Sequence, residues 1–163
     1  MNAILLLKQQ HARLLDLFRR YREEPREPPE VRQGILTALT EALLAHATVE
    51  ERHFYRAVTS DQTEGYLRQC MDDHTRVRQL VSELLARSPD DTELPGCVSR
   101  LERAVEEHLT REEQELFALV ERVLDRQTLD ALGSVMEPAY EEIQRTPPPA
   151  SLSSETAYPG GLR

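Results

Sequence analysis

The amino-acid sequence predicts an all-α protein: an up-down-up-down four-helix bundle with a short additional C-terminal helix and a disordered tail. Three observations lead there. Apolar residues recur at intervals of three and four along four long stretches. Breaks rich in Pro, Ser and Asp separate those stretches. No segment alternates with period two, the pattern of a half-buried strand. Composition agrees. Apolar residues are mostly Leu, Val and Ala, set among Glu and Arg; Trp is absent, and there are 5 Tyr and 3 Phe. That is a mixture of good helix formers. With 163 residues, the chain can bury one sizeable core.

The first helix is expected from about Ala3 to Arg22, with Ile4, Leu7, His11, Leu14, Leu15 and Phe18 on one stripe. EEPREPPE ends it, because proline cannot continue a helix and pushes its predecessor out of the α region. The second starts near Pro29, since proline suits a first turn, and runs to about Val58. Its stripe carries Ile35, Leu39, Ala42, Leu43, His46, Glu50, His53 and Ala57. The third covers Thr63 to Arg87, with Leu67, Cys70, His74, Val77, Val81 and Leu84 on one side. After the loop SPDDTELPG, the fourth runs from Cys97 to Arg126 along Leu101, Val105, His108, Glu112, Leu116 and Leu119. A fifth is expected over Thr128 to Gln144, interrupted near Gly133 and Pro138. The bundle then occupies 1–145, and the Pro-, Ser- and Gly-rich 146–163 forms the tail. Short connections imply antiparallel neighbours.

Several functions are disfavoured at once. A formal charge of −9, with Lys8 the only lysine, argues against nucleic acid or anionic lipid as partners. The longest apolar run, AILLL, is too short to span a bilayer, and no signal-peptide pattern precedes it. A soluble, cytoplasmic protein is expected. Cys70 and Cys97 form no CxxC pair and read as reduced, buried thiols.

The two halves repeat each other. KQQHARLLDLF aligns with MDDHTRVRQLV, and HATVEERHFYRAV with HLTREEQELFALV. Each half is a helical hairpin with one His on its first arm and His-x-x-x-Glu on its second. Residues four apart share a helix face, so His46 pairs with Glu50 and His108 with Glu112. Both pairs, like His11 and His74, lie on apolar stripes and at similar depth in an antiparallel bundle. Satisfied core histidines with solvated glutamates would be the plain reading. Yet burying four imidazoles and two carboxylates in a Leu/Val core is costly without compensation, and no Lys or Arg shares the stripe at that level. Divalent metal would compensate. Imidazole with carboxylate suits iron, manganese or zinc. Six ligands exceed one tetrahedral ion and suit two octahedral ions, with each Glu bridging and the histidines divided.

This pattern, one His, then HxxxE, one His, then HxxxE on successive helices, resembles the hemerythrin-like HHE cation-binding family over about residues 3 to 125. The resemblance extends to the doubled Glu and the following aromatic, Tyr55 or Phe117. It implies a non-haem centre of two iron ions, with His11, His46, His74 and His108 as terminal ligands and Glu50 and Glu112 as bridges. It also implies a small ligand: O2, peroxide or NO. A peroxide-reducing activity is compatible with it, as is an iron-responsive sensing module without turnover. The oxygen-carrying members have a fifth histidine four residues after the third-helix ligand, where this chain has Arg78. Water could fill that position, or His53, three residues after Glu50. His53 is expected to stand near the centre or half-exposed rather than to ligate, because its repeat counterpart is Glu115.

The neighbouring residues have plainer expectations. Glu51 and Glu113 point away from the stripe and should be solvated, though one could orient a ligand His. Tyr55 and Phe117 fall about 180° from His46 and His108 at α-helical spacing, so they should pack against the fifth helix or another chain. Arg78 should snorkel.

Overall fold

The computed structural model describes residues 1–23 and 26–146. The expected tail therefore lies outside the described residues, apart from Thr146. Helix α1 is Ala3–Glu23. Helix α2 begins as Pro29–Val49, passes through a π-helical turn at Glu50–Phe54 and finishes at Tyr55–Ala57. Helix α3 is Glu64–Leu85. Helix α4 runs as Leu94–Arg111, a second π-helical turn at Glu112–Phe117, then Ala118–Val123. Helix α5 is Arg126–Arg145. Among the described residues there is no strand. The four long helices pair as α1 with α2 and α3 with α4, and α5 packs on α1 and α2.

Local chemistry explains the ends. Pro29 opens α2 and Pro95 sits in the first turn of α4, where a missing N–H costs nothing; α4 accordingly starts three residues before the expected Cys97. Thr63 ties the α2–α3 turn: its Oγ1 accepts from the Ser60 N–H at 2.9 Å and donates to the Val58 carbonyl at 2.7 Å. The Asp125 carboxylate caps α5 by accepting from the Thr128 N–H at 2.7 Å. The expected interruption of α5 does not occur; the helix continues through Gly133 and Pro138. Its buried face of Leu129, Gly133, Met136 and Tyr140 holds it on the bundle. Gly133 is needed there: an added Cβ would fall 1.9 Å from the Met1 carbonyl oxygen.

The interior falls into two apolar clusters. One gathers Leu14, Phe18, Leu39, Val81, Leu101 and Val105. The other gathers Ile4, Leu7, Phe54, Tyr55, Leu67, Phe117 and Met136, and α5 covers this end. Between them, on every long helix, lies a polar level: Gln10 and His11, then His46 and Glu50, then His74, then His108 and Glu112, all buried. Leu101, fully buried in the first cluster, anchors one apolar block without touching that level in sequence. Leu101→Ala should cost about 2–5 kcal/mol. For a domain of this size that corresponds to a fall in Tm of at least about 4 °C, read by thermal denaturation followed through helical circular dichroism.

Candidate metal centre

The structure brings together all six residues expected to converge. His11, His46, Glu50 and Glu112 offer ligand atoms within 4.8 Å of one another, and so do Glu50, His74 and His108. Glu50 belongs to both sets. Its Oε2 lies 3.3 Å from His46 Nε2 and 3.3 Å from His74 Nε2. Glu112 Oε2 lies 3.3 Å from His11 Nε2 and 3.8 Å from His108 Nε2. The two carboxylates thus lie between the two histidine pairs. Glu50 and Glu112 are wholly buried, and each histidine of the four is at most 3 % exposed.

The outer edge of each imidazole is tied down. His11 Nδ1 lies 2.7 Å from Glu113 Oε1, and His74 Nδ1 lies 2.7 Å from Glu51 Oε1. His108 Nδ1 lies 3.4 Å from Asp73 Oδ2, and His46 Nδ1 lies 2.9 Å from Gln10 Oε1. Each partner is an acceptor, so each Nδ1 is the protonated nitrogen that donates. Every Nε2 is then left to face inward. His74 Nε2 and His108 Nε2 stand 3.1 Å apart. His11 Nε2, His46 Nε2, Glu50 Oε1 and Glu112 Oε2 have no hydrogen-bond partner among the described residues. Such orphaned polar atoms are costly in an apolar interior. Their spacing suits a cation. Donors at about 2.1 Å from one octahedral ion stand ~3.0 Å apart along each edge. The residues present therefore fit metal.

Three expectations about the surroundings are corrected. Glu51 and Glu113 are not simply solvated: both hold histidines. Glu51 also accepts from Arg78, 2.8 Å away, so Arg78 clamps this support instead of merely snorkelling. Asp73 is held in turn by Arg111. Tyr55 does not point away from the centre. Its Oη lies 3.1 Å from Glu50 Oε2, 3.0 Å from Glu112 Oε1 and 3.3 Å from His74 Nε2. Phe117 stacks on His11, with centroids 5.7 Å apart, and meets Phe54 edge-on.

The π-helical turns cause this reorientation. The Tyr55 N–H bonds to the Glu50 carbonyl, five residues back. In an α-helix, residues five apart diverge by about 140°; a residue inserted into the turn makes them behave as if four apart, and they share a face. Glu50 with Tyr55, and Glu112 with Phe117, are so aligned. A purely α-helical phase hid Tyr55. The signal available beforehand was the five-residue interval between Glu and aromatic, present in both halves. His53 is only partly buried. It joins neither convergent set, and burial together with Arg52 and Arg56 lowers its pKa.

Without a cation, protons neutralise the layer. Burial opposes charge on His11, but the Glu112 and Glu50 carboxylates facing its Nε2 outweigh it and raise its pKa to about 10. Burial likewise opposes charge on His74, and Glu50 and Glu51 outweigh it, raising it to about 9. Burial dominates at His46, which falls to about 3. Tyr55 is pushed well up by burial and by the Glu112 and Glu50 charges. The Cys70 thiol is pushed up mainly by burial, so it is not a thiolate nucleophile. The pH dependence of the metal-free protein follows. His11 and His74 bind protons more tightly folded than unfolded, so their contribution is complete below about pH 6.5. It is lost as pH rises through 9 and 10. His46 acts oppositely, its burial as a neutral ring costing stability as pH falls below about 6.5. Metal-free protein should therefore have a lower Tm at pH 9.5 than at pH 6.5; a flat or rising Tm over that interval would contradict the assignment.

Comparison with known proteins agrees with this architecture. The chain is 26% identical over 145 residues to a protein described as a DNA nickase from Nostoc sp. strain PCC 7120, covering 89% of this chain and 41% of that protein. It thus spans about two-fifths of the length of that relative. A crystal structure of a hemerythrin HHE cation-binding domain-containing protein from Mycobacterium kansasii superimposes with a TM-score of 0.80 at 22% identity, covering 89% of this chain and 88% of that one. The model of the hemerythrin HHE cation-binding domain matches residues 2–120. The bundle, its level of inward-facing histidines and this match together place the chain in the hemerythrin HHE cation-binding domain family.

Proposed function

We propose that the protein holds two iron ions in this layer and uses them to bind, or react with, O2, peroxide or NO. One observation carries the reading most directly: each of four buried histidines has its Nδ1 satisfied and its Nε2 turned toward two buried carboxylates. His11 and His46 would hold one ion, His74 and His108 the other, with Glu50 and Glu112 between them. Such a pair of ions supplies electrons and open coordination positions to a small ligand. The chain supplies the rest. Its supports, three carboxylates and the Gln10 amide, fix the tautomer and orientation of each imidazole. Its two apolar clusters would keep bulk water from the layer on either side.

Tyr55 takes the role left open by the missing fifth histidine. Its oxygen lies about one octahedral edge from Glu50, Glu112 and His74. A single phenol proton can be donated to only one of these acceptors. A dication beside it would offset the carboxylate charge that resists its ionisation, and Tyr55 would then be a fitting ligand. A surface groove between α1 and α4, lined by Leu15, Leu109, Thr110 and Glu113, runs beside the partner of His11.

The Nostoc relative favours a second reading, an iron-responsive module, because the matching segment there is part of a longer chain. Iron-dependent tightening of the helices without ligand turnover would distinguish it, read as protection from proteolysis.

Protein produced with sufficient iron should contain about two iron ions per chain, and the aerobic form should absorb in the near ultraviolet. A stoichiometry near one would exclude the dinuclear reading.

Tyr55→Phe removes only the hydroxyl. The ferric form should then lose a visible phenolate-to-iron charge-transfer band while retaining most of its iron. Identical visible spectra for the two proteins would remove Tyr55 from the ligand set.

A further inference from the structure

The two halves of the centre are related by the internal repeat, and its supporting contacts obey the same relation. Glu51 on α2 holds His74 on α3; its counterpart Glu113 on α4 holds His11 on α1. The residue before His74, Asp73, holds His108; the residue before His11, Gln10, holds His46. The relation is therefore kept in position and broken in chemistry. Asp73 is an anion clamped by Arg111, whereas Gln10 is a neutral amide, 4% exposed, whose Nε2 has no hydrogen-bond partner among the described residues. A second break acts in the same sense. Tyr55 brings an oxygen to His74, while its counterpart Phe117 lays an apolar ring on His11.

We propose that the two ion positions are unequal by construction, with His74 and His108 framing the tight position, His11 and His46 the labile one, and Gln10 the positioning residue that makes the second weak. This rests on the metal reading above. The physical reason is the charge behind each imidazole. A carboxylate accepting from Nδ1 makes Nε2 a stronger donor than an amide does. The tight position has carboxylates behind both rings, Glu51 and Asp73, and the phenol of Tyr55 beside one. The labile position has one carboxylate, Glu113, and one amide. An ion there would be the last to load and the first to leave.

Titration of metal-free protein with Co2+, followed by calorimetry and visible absorption, tests this. Repulsion between two cations would by itself separate the steps, so the variants decide. Asp73→Asn should weaken the first step about tenfold to a hundredfold and spare the second. Gln10→Glu should strengthen the second step by about tenfold and spare the first. Both changes narrow the gap from opposite sides, and helical circular dichroism reports whether each variant folds; either one decides the matter if the other does not. Steps that move together, that do not move, or an Asp73→Asn effect confined to the second step would overturn the inference while leaving the metal centre standing. Failure of the parent protein to bind Co2+ at all would overturn both.

Discussion

The structure depends on one awkward burial. Four imidazoles and two carboxylates lie across the middle of a helical bundle, with apolar clusters above and below. Groups of that kind cost free energy in an apolar interior unless something neutralises and binds them. Protons can do so in part, which is why His11 and His74 hold theirs far more tightly than free histidine. Four inward nitrogens and two carboxylates, however, form a better shell for metal than for protons. The long helices, the matched depths and the charged supports all serve to keep this layer in register.

Helical regularity is broken where the layer needs it. Each HxxxE helix opens into a π-helical turn beginning at its glutamate. An ordinary α-helix could turn His46 and Glu50 inward, but would carry the aromatic five residues later off the face. The wider turn brings it back. One half thereby gains a phenol beside the carboxylates, and the other gains a ring that packs on His11. Rare local geometry is tolerated here because the gain is a positioned functional group.

The internal repeat extends to the supporting contacts as well as the inward ones. Glu51 and Glu113 each hold a histidine of the opposite half, and Gln10 and Asp73 each hold one of their own half, so the pseudo-twofold relation extends from the histidines to their partners. Against that regular background, Gln10 and Tyr55 stand out as departures on chemically opposite sides. A symmetric scaffold with unequal ends is a simple way to give two neighbouring positions different affinity without separate folds for each.

Much of this was legible beforehand. Periodicity of three and four located the helices, because amphipathic stripes are a direct consequence of helix geometry. His11, His46, Glu50, His74, His108 and Glu112 could be singled out because polar groups on an apolar stripe contradict their surroundings. Helix α5 was less legible: Gly133 and Pro138 argued for an interruption that packing against the bundle overrode. Tyr55 was misplaced, and Glu51, Glu113 and Arg78 were undervalued, for one shared reason. Their roles depend on where another helix presents an imidazole edge, and on a change of helical phase that residue spacing alone does not encode. The sequence by itself determined which residues must face inward, since stripe membership is a property of each helix alone. Only the tertiary structure decided which inward group meets which, because those distances are set by the packing of one helix against another.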